Sequence, residues 1–322
     1  MADKKKVAAL TGGTGFLGRY IARALDKAGY QVRMLARSMV VHPQLQGLTL
    51  EVIPGSLSDD EACKQLVNGA DLVVHCAGLI KAKSHAEFLA INGDATARLA
   101  KHWAEMAKDR PTKEPKCRFV LISSLAAREP DISDYAASKQ AGEAALIEVG
   151  GDWLILRPAA IYGPWDTETL AIFKAQKWPL QPLLGGPEAR VGLIHVEDMT
   201  SAVIKLGQEG KTQQIYELCD ARTEGYGWQE IVNSAAGAMN LAARTVQVPS
   251  GVMRAAGWLS RHIPRPARLA SVFSDGKARE ILHEDWAVDP DRIPPKSLWT
   301  PKIALDQGFA DTTSWYRGAG WL

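Results

Sequence analysis

Cysteine is scarce in this chain: Cys63, Cys76, Cys117 and Cys219 are spread over 322 residues with no Cys-x-x-Cys pair. That spacing suggests neither a disulfide framework nor a thiolate zinc site, and reduced thiols in the cytoplasm are the simple reading. The seven histidines form no His-Glu-x-x-His, so no metal is expected. An excess of one charge is lacking too. With 38 Lys and Arg against 36 Asp and Glu the net charge is +2, and nothing calls for a nucleic-acid partner. No stretch approaches the ~20 apolar residues that span a bilayer. The charged opening Met1 to Lys6 runs directly into an apolar strand without a leader, so a soluble, unsecreted chain is expected. There is no internal repeat and no low-complexity tract.

What is present is a chain with 46% hydrophobic residues, long enough to exceed one ordinary domain. Lys6 to Leu10 reads as a buried strand running into Thr11, Gly12, Gly13, Thr14, Gly15, Phe16, Leu17 and Gly18. Helical periodicity follows, with Phe16, Leu17, Tyr20, Ile21, Ala24 and Leu25 on one stripe and a left-handed cap expected at Gly29. Strand, glycine turn and helix thus come in the order of a dinucleotide site, where glycines let the backbone approach a pyrophosphate at the helix N-terminus. Both Gly12/Gly15/Gly18 and Gly13/Gly15/Gly18 fit. The second strand, Gln31 to Leu35, ends in Ala36-Arg37-Ser38 and delivers no carboxylate for a ribose 2′-hydroxyl. Arg37, with or without Arg33, is suited to a 2′-phosphate, which favours NADP over NAD.

Tyr135 and Lys139 stand four apart, on one face if the run is helical. A phenol titrates near pH ~10, and a cation held beside it favours phenolate and suits it to acid/base work. Ser124, after the apolar run Phe119 to Ile122, falls where a strand ends and presents a hydroxyl. The three side chains make a site for moving a hydride and a proton at a carbinol or carbonyl.

Together these residues resemble the extended short-chain dehydrogenase/reductase family, the group with the NAD-dependent epimerases and dehydratases. The likeness runs in order from Thr11 to Trp315-Tyr316. It implies Tyr135 as acid/base, Lys139 as the group that holds the nicotinamide ribose and tunes Tyr135, and Ser124 as the hydroxyl that orients the substrate oxygen. Ser123 is expected only to satisfy backbone. Cofactor contacts are implied for Thr11 to Gly18, Arg37, Ser56, Leu57, Cys76, Ala77, Gly78, Asn92 at a helix start, Ser123, Tyr135, Lys139, Pro158, Ala159 and Ile161. The chain departs from the family's pattern in two places. Ser56 stands where an aspartate often contacts adenine, and Ala160 stands where sugar-nucleotide epimerases carry an asparagine.

A Rossmann doubly wound parallel sheet is expected over residues 1–160, with 192–215 returning to it. Residues 161–191 and 216–322, broken by Pro164, Pro179, Pro182 and Pro187, are expected to form a smaller substrate-binding region. There, Arg254, Arg261, His262, Arg265 and Arg268 surround Trp258-Leu259. The cluster reads as a solvated basic face in preference to a site for an anionic substrate or an acidic membrane surface. The late tryptophans read equally as pocket lining or core, and His195 as structural. The function expected is an NAD(P)-dependent oxidoreductase of a ketone or alcohol on a small molecule, as a possible homodimer. The alternatives are a sugar-nucleotide epimerase/dehydratase and a non-catalytic NADP-binding sensor or assembly subunit.

Overall fold

The computed structural model describes residues 5–38, 40–110, 117–262 and 275–322. The first half alternates: β1 (Val7–Thr11), α1 (Phe16–Lys27), β2 (Gln31–Ala36), β3 (Leu50–Pro54), α2 (Asp60–Val67) and β4 (Leu72–His75). It continues with α3 (His85–Phe88), a π-helical turn Leu89–Asp94, α4 (Ala95–Lys108), β5 (Arg118–Ile122), α5 (Asp134–Val149) and β6 (Trp153–Pro158). Short pieces follow: β7 (Ala160–Tyr162), α6 (Leu170–Ala175), β8 (Gln181–Leu183), β9 (Arg190–Val191) and β10 (Leu193–His195). Then come α7 (Val196–Glu209), β11 (Gln214–Leu218), α8 (Trp228–Ala238), β12 (Thr245–Gln247), α9 (Ser250–His262), α10 (Asp275–Leu282), β13 (Asp285–Trp286) and α11 (Leu305–Gly318).

Seven strands form one parallel sheet in the order β11-β6-β5-β4-β1-β2-β3. Side chains alternate across it, as strand geometry requires. Ala8 and Leu10 face a core shared with Ile21 and Leu25 of α1 and Met199 and Val203 of α7. Ala9, Val73 and Phe119 face a second core with Leu66 of α2 and Trp103 of α4. Burial on both faces explains why β6 is enclosed along its whole length and why the strands read as continuous apolar runs. α1 ends as the sequence predicts, with Gly29 in the left-handed region at φ +87 and Tyr30 N–H returning to Leu25 O at 3.0 Å. The fold is the Rossmann-like α/β class expected.

A smaller lobe gathers around Tyr162, Phe173, Tyr226, Phe309 and Tyr316. Its short strands pair in parallel as β10 with β7, β12 with β8 and β13 with β9. The late tryptophans divide, with Trp315 and Trp321 in this lobe, Trp299 in the sheet core, Trp286 in a small separate cluster and Trp258 exposed. Trp315 and Trp321 pack on Trp165, with ring centroids 4.7 and 6.5 Å away, and Trp299 Nε1–H donates to Ser201 Oγ. The segment joining β11 to the sheet begins with α7, which packs on α1, and β11 runs three residues beyond 215. Arg265 and Arg268 lie outside the described residues.

Candidate active site

The registers place Thr11 beside His75, His75 beside Leu121, and Ile122 beside Leu156. The turns after β1, β4, β5 and β6 therefore open at one end of the sheet, on either side of the point where strand order reverses between β1 and β4. Thr11 to Gly18, Cys76 to Gly78, Ser123-Ser124 and Pro158-Ala159 all follow strand carboxyl ends there. Ser56 and Leu57 follow β3, and Ile161 lies in β7.

The glycine turn is shaped by close approach. A Cβ on Gly12, whose φ is +70, would lie 2.6 Å from Ala77 N, and one on Gly18 would lie 2.0 Å from Gly12 O. α1 begins at Gly15 with no side-chain cap and no acidic residue in its first turn. Its N–H groups thus face outward with a positive dipole end and no protein anion, the donor set a pyrophosphate requires, so the turn fits a dinucleotide. Leu17 is committed to the core and Phe16 packs edge-on to Tyr20, so at these positions only backbone is available to a phosphate. Arg37 is exposed, with no ion pair among the described residues. Arg33 is engaged elsewhere. Its guanidinium donates to the carbonyls of Gln65, Leu66 and Asn68 and pairs with Glu51 at 3.0 Å, which corrects the suggestion that it could share a 2′-phosphate.

α5 starts at Ser133, whose Oγ accepts Ala136 N–H at 3.0 Å. Tyr135 occupies its first turn, half-buried, with its ring 6.0 Å from that of Phe88. One turn on, Lys139 is buried and its ammonium donates to Ile122 O at 2.7 Å, the last carbonyl of β5. Burial pushes the Tyr135 phenol up to about 12. The Ser124 hydroxyl draws it back and the charge of Glu280 adds to the rise. Burial likewise pushes Lys139 down to about 8, opposed by Cys76 and Glu143. Desolvation thus outweighs the bond from Ser124, and the phenol stands above its ordinary value where a depression was expected.

Beneath the turn runs a buried chain that the sequence reading missed. Ala77 N–H donates to Thr11 Oγ1 (3.2 Å), which lies 2.6 Å from His75 Nδ1; His75 Nε2 lies 3.0 Å from Thr96 Oγ1, which donates to Asn92 O (2.7 Å). Thr96 has spent its proton, so His75 carries its hydrogen on Nε2 and accepts from Thr11 on Nδ1. Burial, aided by the charge of Lys139, holds His75 down to about 3, and it is neutral. Thr11 therefore braces the turn with its side chain.

Asn92 is no helix start. It sits inside the continuous α3 to α4 helix, in the π-helical turn, where its side chain bonds Leu79 N and O and Ser138 Oγ. A side chain on Gly142 would come within 2.4 Å of Asn92 O, so glycine there lets α5 approach. Ser123 also differs from expectation. Its hydroxyl bonds the carboxylate of Glu143, which binds Arg157 through two bonds of 2.9 and 2.6 Å. Arg157 continues to Glu217 at 3.4 Å, and Glu217 to Arg128 at 3.3 Å. Ser124 Oγ caps the following turn by accepting Ala126 N–H at 3.2 Å. His195 is buried and caps α7 by accepting Glu197 N–H, a structural position.

Glu280 of α10 is a second omission. It accepts the Ser133 hydroxyl at 2.5 Å, which brings a carboxylate to the N-terminus of α5, beside Tyr135. The two are 147 positions apart in the chain, and no local pattern could announce the contact. The four cysteines are free, and no cluster able to hold a metal occurs among the described residues. No helix there is long and apolar enough to cross a membrane.

A doubly wound sheet with a glycine turn and a Ser/Tyr/Lys group at its carboxyl end defines a dinucleotide-dependent enzyme class. The chain belongs to the NAD dependent epimerase/dehydratase family, which matches residues 8–219. It is 42% identical over 321 residues to a ceramide reductase of Caulobacter vibrioides (strain NA1000 / CB15N), covering 99% of this chain and 97% of the relative. A 4-hydroxy-2-methyl-3-oxo-4-farnesyl-3,4-dihydroquinoline-1-oxide ketoreductase of Stigmatella aurantiaca is 27% identical over 230 residues, 66% of this chain and 67% of that protein. The solved Bordetella bronchiseptica enzyme WbmG in complex with NAD superposes with a TM-score of 0.70 at 18% identity, covering 99% of this chain and 96% of that one. The chain is an NAD(P)-dependent oxidoreductase of the extended short-chain type.

Proposed function

We propose that the chain is an NADP-preferring ketoreductase that forms a secondary hydroxyl on a ceramide-like lipid. What supports this reading is that the Lys139 ammonium bonds the last carbonyl of β5 and the Ser124 hydroxyl lies beside the Tyr135 phenol, in a chain 42% identical to a ceramide reductase. When bound, NADPH supplies the hydride. The Gly12 to Gly18 backbone and Arg37 would hold its phosphates, and Lys139 its ribose. Tyr135 gives its phenolic proton to the ketone oxygen while Ser124 holds that oxygen, so one hydride and one proton turn the C=O into CH–OH. A phenol pushed up to about 12 is fully protonated at neutral pH, which suits a proton donor in the reducing direction. Ala160, exposed in β7, offers no amide to a sugar-nucleotide diphosphate, which weighs against epimerase chemistry. The four free thiols fit a cytoplasmic setting.

The test is NADPH oxidation by the full chain with the ketone form of a short-chain ceramide, alongside Tyr135→Phe. The variant is expected to lose at least ~100-fold in kcat with nearly unchanged NADPH affinity. Wild-type turnover of sugar nucleotides without net cofactor consumption, or full turnover by the variant, refutes the reading.

A further inference from the structure

Ten large apolar side chains are exposed among the described residues, and six belong to one corner of the smaller lobe: Trp178, Leu180, Leu241, Val246, Val252 and Trp258. The two tryptophans are 58% and 60% exposed. Two distant segments are joined there. Gln181 N–H donates to Arg244 O at 2.8 Å, and β8 and β12 continue the pairing as far as Leu183 with Gln247. Trp178 and Leu180 therefore lie next to the strand that carries Val246, and α9, bearing Val252 and Trp258, begins three residues after β12.

The segments that build this corner carry cations and no carboxylate of their own, and Asp275 of α10, which lies against Gly257, pairs with Arg279 of its own helix. Residues 169–187 and 231–258 contain no Asp or Glu, while they contain Lys174, Lys177, Arg244 and Arg254. All four cations are exposed, and none has an ion pair among the described residues. The whole chain is only +2, so the rest of the molecule is close to neutral or net acidic. α9 turns Met253 and Gly257 inward, Gly257 against α10, where a Cβ would lie 3.0 Å from Ala278 Cβ. Its remaining described positions face outward, with Val252, Ala255, Ala256 and Trp258 beside Arg254. Exposed tryptophan on segments that carry four cations and no carboxylate of their own matches the headgroup layer of an anionic bilayer, where indole prefers the interface and Lys and Arg meet lipid phosphate.

We propose that this corner docks on an anionic membrane surface. α9 rests on α10, and Glu280 of α10 bonds Ser133 beside Tyr135, so α10 links the docked face to the catalytic helix. The docking itself stands on the surface chemistry. Only its purpose, delivery of a lipid ketone, rests on the function proposed above.

The test is co-sedimentation of the full chain with vesicles of phosphatidylcholine alone and with vesicles enriched in phosphatidylglycerol. Binding is expected to the anionic vesicles only and to fall with added salt. Arg244→Gln combined with Arg254→Gln is expected to weaken it about thirtyfold, and Trp178→Ser combined with Trp258→Ser to abolish it. In both variants NADPH affinity and reduction of a water-soluble ketone should stay at wild-type values, which separates lost docking from lost folding. Absence of anionic-vesicle binding, undiminished binding by both variants, or self-association that depends on the patch in place of vesicle binding overturns the proposal. Vesicle binding by a chain that reduces no ketone supports docking and rejects the reductase reading.

Discussion

Arg37, Gly18 and His75 each carry a consequence that one substitution isolates. Arg37 follows β2 with no ion pair among the described residues, where a carboxylate would serve NAD, and a charge-assisted bond to a 2′-phosphate is worth about 1.5–3 kcal/mol. Arg37→Ala is therefore expected to weaken NADPH binding about 10- to 100-fold and NADH binding hardly at all, as titrated by tryptophan fluorescence. Equal losses for both cofactors would remove the preference. Gly18→Ala puts a methyl 2.0 Å from Gly12 O, a backbone atom that cannot swing aside. The turn must open, and cofactor affinity is expected to fall together with about 1–3 kcal/mol of stability in urea melts. His75 titrates near 6.5 when unperturbed and is held at about 3 in the fold. Between those values the unfolded chain binds a proton that the native state refuses. Stability is thus lost as pH falls through that window, by about 1.4 kcal/mol per unit from this group. His75→Gln is expected to remove that share of the slope between pH 6 and 4.

Elements whose signals are local were legible in the sequence. The β1 run, the glycine turn and α1 follow from apolar pattern and a left-handed Gly29, and the helical spacing of Tyr135 and Lys139 is met in α5. What escaped depends on elements brought together late. Thr11 meets His75 only because β1 and β4 are neighbours, and Asn92 lies inside a helix that α5 approaches closely at Gly142. Arg33 looked available until β3 supplied Glu51. α10 is the clearest case, since its Glu280 reaches Ser133 across most of the chain. That carboxylate raises the Tyr135 pKa, so Glu280→Gln is expected to lower it, increase the phenolate fraction and speed alcohol oxidation at fixed alkaline pH. A pH profile of kcat/KM for oxidation that does not move would show that α10 leaves the phenol untouched.

Across the whole molecule, a buried ionic chain joins sheet and lobe. Glu217, fully enclosed on β11, binds Arg157 and Arg128 and accepts Asp289 N–H at 2.9 Å, while Arg128 also takes the carbonyls of Asp285 and Ala287. Removing one charge from such a set strands its partners. Glu217→Gln is expected to cost about 3–5 kcal/mol in urea-induced unfolding, far more than loss of an exposed pair such as Lys205 with Glu209. Equal costs for the two would deny the chain its role in joining the lobes.

The hydrogen-bonded row through Thr11, His75 and Thr96 starts at the amide of Ala77 and stops at the carbonyl of Asn92. Neither terminus can surrender or take up a proton at ordinary pH. The imidazole that braces the nucleotide turn is therefore a strut and not a wire, and no proton reaches the phenol along that row.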